Sequence, residues 1–288
     1  MLTVPPSFAE STIGREGEAG REWIDSLPAL TEELLDRWSC TPSGPVLHGF
    51  VGVVVPARRA HGSEAVLKLS FPSPLNAAEP VALAAWNGEG AVRLLERDDD
   101  RYAMLLERLH PLRERVSDPF TAVGRLARRL AVPAPPGVAS LADRALRWVD
   151  EMPAHAGRVG NPLGRRVMDA ALANAHEMAA DQPSLLVHGD LHLGNLLHRD
   201  GDLTAVDPNG FVGDPAYEFL PLLRGEWFNG PPEVDRWIAE FAEAAGVDRE
   251  RVRRWAQVRA AESALWSRSL DEPDLVTAVV DAVAADLA

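Results

Sequence analysis

The spacing of apolar side chains changes character partway along the chain. Over residues 16–38, Trp23, Leu27, Leu30, Leu34, Leu35 and Trp38 recur three and four apart, which predicts an amphipathic helix with a break at Pro28. The period then shortens. Val51, Val53, Val54 and Val55, a turn over 58–62 and a second short strand over 65–69 read as a β-hairpin. A helix is predicted over 77–86, and two more strands over 91–96 and 102–106, joined by an acidic turn at 98–100. After Pro111 the helical period returns. Phe120, Val123, Leu126, Ala127 and Leu130 form one stripe; Val167, Met168, Ala171, Leu172, Ala175 and Met178 a second; Val234, Trp237, Ile238 and Phe241 a third. Leu275, Val276, Val279, Val280 and Val283 close the chain, and a short β segment over 185–207 interrupts the helices. These elements predict an α+β protein of two lobes: an antiparallel-sheet lobe with one inserted helix over 1–107, and a larger, mainly helical lobe over 108–288.

Composition narrows the functions open to such a protein. Of 288 residues, 46% are hydrophobic and 25% charged, and 29 basic against 43 acidic side chains leave a net charge of −14. That field repels polyanions, so nucleic acid is not an expected partner, and a cationic small molecule is favoured. Cys40 is the single cysteine, which excludes a disulfide framework and suits a reducing compartment. The start of the chain lacks a basic region followed by an apolar run, and no stretch approaches about 18 uninterrupted apolar residues. A cytoplasmic, unanchored protein, monomeric or weakly dimeric, is expected.

Within the basic residues one position stands apart. Lys68 is the single lysine among 28 arginines. A compact, rotatable ammonium fits between phosphate oxygens and a carboxylate in a way the planar guanidinium fork does not.

The densest run of polar groups lies at 185–207: His188, Gly189, Asp190, His192, Gly194 and Asn195, then a turn at Asp200, Gly201 and Asp202, then Asp207 at a strand end. A hairpin would fold these segments back, so that Asp190, Asn195 and Asp207 converge. Converging oxygen ligands suit Mg²⁺. Phosphoryl transfer requires a carboxylate for the incoming hydroxyl, an amide and a carboxylate for the metal, and a cation on the phosphates. Asp190 and Asn195 stand five residues apart, the spacing of the protein-kinase catalytic loop, and Asp207 follows twelve residues later. Lys68 supplies the cation, and Glu79 is the one carboxylate on the predicted helix that follows it.

The segment from His188 to Asn195, the run Asp207, Pro208, Asn209, and the continuation Gly213, Asp214, Pro215, Ala216, Tyr217, Glu218 resemble the aminoglycoside phosphotransferases. With Leu105 to Leu109 upstream, the chain is most similar to the branch holding streptomycin 6-phosphotransferases and hydroxyurea phosphotransferases. The resemblance implies a bilobal protein-kinase-like fold that uses ATP and Mg²⁺ to phosphorylate a hydroxyl of a small molecule. Asp190 would be the base or orienter of that hydroxyl, while Asn195 and Asp207 would hold the metal. Lys68, paired with Glu79, would bind the α and β phosphates. Glu107, Arg108 and Leu109 would meet adenine, and Gly49 and Phe50 would lie in the loop covering the nucleotide. Asp214 would brace the catalytic loop, with His188 and His192 in structural roles. The covering loop lacks the full glycine pattern of protein kinases, and Pro208 or Asn209 stands where this branch often has a lysine.

Two rivals give the same residues other work. His188, Asp190 and His192 alternate, and on a strand they would face one way as metal ligands of a hydrolase; that leaves Lys68, Asn195 and Asp207 unexplained. A nucleotide-binding module without transfer would not need all four catalytic groups. For the acceptor, Glu262 interrupts the stripe of Val252, Trp255, Val258, Leu265 and Trp266, turning a carboxylate inward or toward a cleft. It would either pair with Arg259 or Arg224 or recognise an amino or guanidino group, with Glu226, Trp227, Asp235 and Trp266 as companions. From Glu226 onward thirteen acids face seven arginines, a surplus of six that favours a polycation.

Overall fold

A computed structural model describes residues 3–74, 76–112, 114–229, 232–269 and 274–288. The chain divides into two compact units, Met1–His110 and Pro111–Ala288.

The first unit contains α1 (Pro6–Arg37), β1 (Cys40–Pro42), β2 (Leu47–His48), β3 (Gly52–Arg59), β4 (Glu64–Ser70), α2 (Glu79–Trp86), β5 (Leu94–Asp98) and β6 (Ala103–Glu107). The strands form one sheet in the order β1-β3-β4-β6-β5, with β2 beside β3, and every pairing is antiparallel. The first helix corrects the sequence reading. It starts at Pro6, and its irregular point is Gly17 (φ 65°, ψ −135°) rather than Pro28, which sits inside the helix. Proline forfeits one backbone bond there. Trp23, Ile24, Leu27, Thr31, Leu34 and Leu35 nevertheless stay buried on both sides of it, so the packed face outweighs the lost bond. Leu67 and Leu69 of β4 join Val53, Val55 and Leu105 in a core shared with Leu27 and Leu34 of α1. Side chains alternate along a strand, so Lys68 between them points to the opposite face.

After β7 (His110–Pro111) at the junction, the second unit runs through α3 (Pro119–Leu130), β8 (Ala139–Ser140), α4 (Leu141–Arg158), α5 (Gly164–Ala180), β9 (Leu186–Val187), β10 (Leu196–Arg199), β11 (Asp202–Ala205), β12 (Phe211–Val212), α6 (Phe219–Glu226), α7 (Val234–Ala245), α8 (Arg249–Ser269) and α9 (Asp274–Asp286). Helix α8 is buried on most sides and packs against α4, α5, α6, α7 and α9. Helix α4 has no counterpart in the sequence reading. Pro153 lies inside it, yet Leu141, Ala145, Trp148, Met152 and Ala156 form a regular buried stripe, and the Ser140 hydroxyl caps its first turn. On α9, Val279, Val280 and Val283 are buried as their spacing predicts; the side chains of Leu275 and Val276 lie outside the described residues. Among the described residues, no helix is long and apolar enough to cross a membrane.

Candidate active site

The polar run of 185–207 folds as a loop followed by a tight hairpin. Strands β10 and β11 pair Leu196 with Ala205 and Arg199 with Asp202, leaving Asp200 (φ 52°) and Gly201 (φ 96°) as a two-residue turn. Asp-Gly with two positive φ angles is the turn whose twist matches a hairpin. The open end of the hairpin therefore brings Asn195 beside Val206, whose N–H donates to the Asn195 carbonyl at 2.9 Å, and Asp207 follows directly. The Asn195 Nδ2 donates to the Asp190 carbonyl at 2.9 Å, which turns the amide oxygen away from that bond. Asp190, Asn195 and Asp207 are thus tied into one short stretch of backbone.

Asp207 adopts a left-handed backbone, with φ 58°. That conformation costs about 1–3 kcal/mol for a residue other than glycine, and a following proline restricts it further. The surroundings hold it. His188 Nε2 donates to the Val206 carbonyl at 2.9 Å, and the His188 carbonyl accepts from the N–H groups of Asn209 and Gly210 at 2.9 and 3.1 Å. Its other ring nitrogen, Nδ1, accepts from the Asp190 N–H at 3.3 Å. Burial pushes the imidazole down to about 4, so it is neutral with the proton on Nε2. Both ring nitrogens are committed to backbone, and His188, Gly189 and Asp190 lie in a loop rather than a strand. A metal site built on His188, Asp190 and His192 is therefore contradicted. Among the described residues there is no group of three or more His, Cys, Asp or Glu side chains suited to a metal.

Two buried residues hold the loop from beneath, and neither was singled out as functional in the sequence. Glu218 ends the 3₁₀ turn Pro215–Glu218 and accepts from the N–H groups of Gly189 (2.7 Å) and Leu191 (3.3 Å), the residues on either side of Asp190. Arg259 of α8 donates to the carbonyls of Tyr217 (2.7 Å) and Gly189 (3.3 Å), with its guanidinium 3.8 Å from the centre of the Tyr217 ring. Asp214, expected to brace this loop, instead caps the 3₁₀ turn through the Ala216 N–H and pairs with Arg251 at 2.5 Å. Gly189 has φ 90°, and a Cβ there would lie 2.7 Å from the Phe211 ring.

The Asp190 carboxylate borders a hollow of about 340 Å³ also lined by His192, Pro221, Arg224 and Phe228. His192 Nδ1 accepts from the Gly194 N–H, and its Nε2 stands 3.6 Å from Asp190 Oδ2. Partial burial raises the Asp190 carboxyl, but His192 and the charge of Arg259 outweigh it and hold the group below its ordinary value. Asp190 is therefore ionised at neutral pH, the form able to accept a proton.

In the first unit, Lys68 Nζ stands 2.6 and 2.7 Å from the two Glu79 oxygens, with both side chains buried between β4 and α2. Glu107 accepts from the Arg93 N–H at 2.6 Å, Arg108 reaches Glu64 at 3.4 Å, and Leu109 is half-buried. The Gly49 N–H donates to the Gly52 carbonyl, and Phe50 is 75% exposed with the Arg15 guanidinium over its ring. In the second unit, Glu262 is half-buried; burial raises its carboxyl, while Arg144, Arg259 and Arg224 pull against that. Trp266 is 54% exposed on the same helix. Glu226 is buried, accepts from Asn229 and pairs with Arg115 at 3.3 Å, and Trp227 beside it is half-buried. Asp235 pairs with Arg253 at a separate surface hollow that includes Arg236 and Asp286.

An ionised carboxylate beside a hollow, hard oxygen donors at the open end of a hairpin, and a buried lysine–glutamate pair on a separate antiparallel sheet are the parts of a small-molecule kinase with the protein-kinase-like fold. A solved amicoumacin kinase bound to AMP-PNP, Ca²⁺ and Ami shares that fold at a TM-score of 0.59 and 13% identity, covering 94% of this chain and 96% of its own. Residues 37–270 match the family described as aminoglycoside/hydroxyurea antibiotic resistance kinase, and the chain belongs to that family. Similar relatives are a hydroxyurea phosphotransferase of Kitasatospora aureofaciens, 38% identical over 92% of this chain and 80% of its own, and a streptomycin 6-kinase of Streptomyces glaucescens, 36% identical over 92% and 91%. The chain is a phosphotransferase with a hydroxyl-type acceptor, and as a member of a kinase family it uses ATP.

Proposed function

We propose that this kinase transfers the γ-phosphoryl of ATP to a hydroxyl of a streptomycin-type aminoglycoside, as an antibiotic-inactivating enzyme of the cytoplasm. Hydroxyurea is the second acceptor to test, because a relative at 38% identity bears that name. The observation that carries the reading is the Asp190 carboxylate, ionised at the wall of a hollow, with its main-chain carbonyl held by the side-chain amide of Asn195. Asn195 and Asp207 fit Mg²⁺: both present oxygen, the donor this hard cation prefers. When bound there, the ion would neutralise phosphate charge. Asp190 receives the acceptor's proton or aligns its hydroxyl, and Lys68, oriented by Glu79, offers its ammonium to phosphate oxygens. With a loose transition state, positioning and charge account for most of the rate. The net charge of −14 favours approach of a cationic acceptor.

The test is ADP release from purified protein on a panel of streptomycin, other aminoglycosides and hydroxyurea, with Asp190→Ala alongside. Turnover on a hydroxylated cation that falls by about 10²–10⁴-fold in Asp190→Ala supports the reading. Full turnover by that variant, or none by the parent on any aminoglycoside, refutes it.

A further inference from the structure

The bonds beneath the catalytic loop define a device the transfer chemistry alone does not require. Gly189 is held at both ends of its own residue, its N–H by Glu218 and its carbonyl by Arg259, and the next amide but one, that of Leu191, is held by the second Glu218 oxygen. Asp190 lies between these anchors, so its Cα position follows from them. Arg259 in turn is fixed by the Tyr217 carbonyl and ring, and Tyr217 packs against Trp255 of α8 and Trp148 of α4. The loop is therefore referenced to α8, the helix that packs against α4, α5, α6, α7 and α9.

We propose that Glu218 and Arg259 form a clamp that positions the Asp190 carboxylate, and that protonation of Glu218 releases it. A carboxylate accepts two N–H bonds with its two oxygens; a carboxylic acid keeps one good acceptor and turns a donor toward the other amide. The longer bond, to Leu191, is the one given up. Glu218 is fully buried, and desolvation lifts its carboxyl to about 7 against the pull of the Gly189 amide, Arg259 and the Leu191 amide, with Asp190 adding repulsion. Arg259 of α8 and Asp190 of the loop are the charged groups that bear on it. The clamp is thus closed above neutrality and open in mild acid. Glu218 and Arg259 touch no reacting atom and are positioning residues. The inference rests on the reading of Asp190 as the group that receives the acceptor hydroxyl.

The experiment measures kcat and KM for the parent, Glu218→Gln, Glu218→Asp and His192→Gln across about pH 5.5–9, with hydrogen exchange of the loop amides followed in parallel without nucleotide. The parent is expected to show an acid limb in kcat centred near 7. Glu218→Gln, which offers one acceptor and one donor, is expected to lower kcat roughly ten- to a hundredfold with little change in KM and to abolish the limb. Glu218→Asp restores a limb with part of the rate, and His192→Gln, which removes the imidazole 3.6 Å from Asp190 Oδ2, retains the limb. A limb that survives in Glu218→Gln, or parental kcat in that variant at every pH, overturns the proposal. If Glu218→Gln does not fold, the limb of Glu218→Asp decides: the shorter side chain must displace it, and an unchanged limb and rate overturn the clamp. If the parent phosphorylates no acceptor, the kinase reading fails on its own and exchange judges the clamp. The Gly189 and Leu191 amides must then lose protection, relative to intrinsic rates, as pH falls through about 7; constant protection overturns it.

Discussion

Replacing Glu218 by glutamine is expected to make stability fall in acid over a range where the parent's does not respond to this loop. The prediction follows from two buried groups shifted in opposite senses. His188 is depressed from 6.5 to about 4, so its contribution is present above about 6.5 and is lost as pH falls toward 4. Glu218 is raised from 4.5 to about 7, so its contribution is full below about 4.5 and is lost as pH rises through 7. Between about pH 5 and 6.5 the unfolded chain binds a proton at His188 that the folded chain lacks, and the folded chain binds one at Glu218 that the unfolded chain lacks. Each slope is about 1.4 kcal/mol per pH unit, and the two cancel.

Glu218→Gln removes one slope and leaves the other. From about pH 6.5 to 5 its stability is expected to drop by about 2 kcal/mol relative to the parent, while His188→Gln gains about 2 kcal/mol over the same range. The assay is urea unfolding in EDTA at several pH values, followed by tryptophan fluorescence. Subtracting the parent's curve removes every other titrating group, which all three proteins share. Parallel pH profiles for parent and both variants would refute the assignment of opposed, buried protonation states to this pair.

Other perturbations test separate parts of the structure. Gly189→Ala forces a Cβ to within 2.7 Å of the Phe211 ring at a φ of 90°, so turnover is expected to fall at least tenfold while nucleotide binding, read by thermal shift, persists. Glu79→Ala strips the carboxylate from a buried ammonium and is expected to destabilise by about 3–5 kcal/mol; calorimetry of the purified variant checks it, and an unchanged melting temperature would contradict the buried pair. Pro28→Ala restores a helical N–H in the middle of α1 and is expected to stabilise by about 1–3 kcal/mol; a lower melting temperature would mean that α1 is built around the proline. Asp207→Ala is expected to weaken magnesium-dependent nucleotide affinity as well as turnover, which titration of ATP with and without the metal separates from the Asp190→Ala effect.

Much of this was legible because local chemistry and fold agreed. The alternation around Lys68, the carboxylate at Glu79 and the Asp-Gly turn at Asp200 each specify geometry within a few residues, and the hairpin that joins Asn195 to Asp207 follows from them. Helix α4 was not legible, since Pro153 breaks the pattern in sequence while packing of Trp148 and Met152 preserves it in space. The kink of α1 misled for the converse reason: Pro28 is the stronger signal in sequence, but Gly17 is where the backbone departs from helix. Glu218 and Arg259 were hidden because their role is carried by backbone atoms 29 and 70 residues away, and a hydrogen bond to a distant peptide leaves no local spacing to read. A carboxylate beside Tyr217 in an otherwise apolar run, followed by Phe219 and Leu220, was the one available hint, since buried acids require partners.

The same distant bonds explain how a strained residue can be kept at the hairpin's end. Asp207 holds a left-handed backbone before a proline, a conformation that an isolated hairpin would relax. It is retained because the His188 ring donates to the Val206 carbonyl on one side and the His188 main-chain carbonyl accepts from Asn209 and Gly210 on the other. Its second ring nitrogen accepts from the Asp190 amide only in the neutral form that burial enforces, so one imidazole couples the backbone of Asp190 to the Val206 peptide that leads into Asp207. Protonating or truncating that ring therefore has a consequence beyond stability. The two carboxylates lose their common reference, and His188→Ala is expected to impair turnover and magnesium-dependent nucleotide binding together, whereas Asp190→Ala impairs turnover alone. A His188→Ala variant that binds MgATP like the parent would show that Asp207 holds its backbone without this clamp.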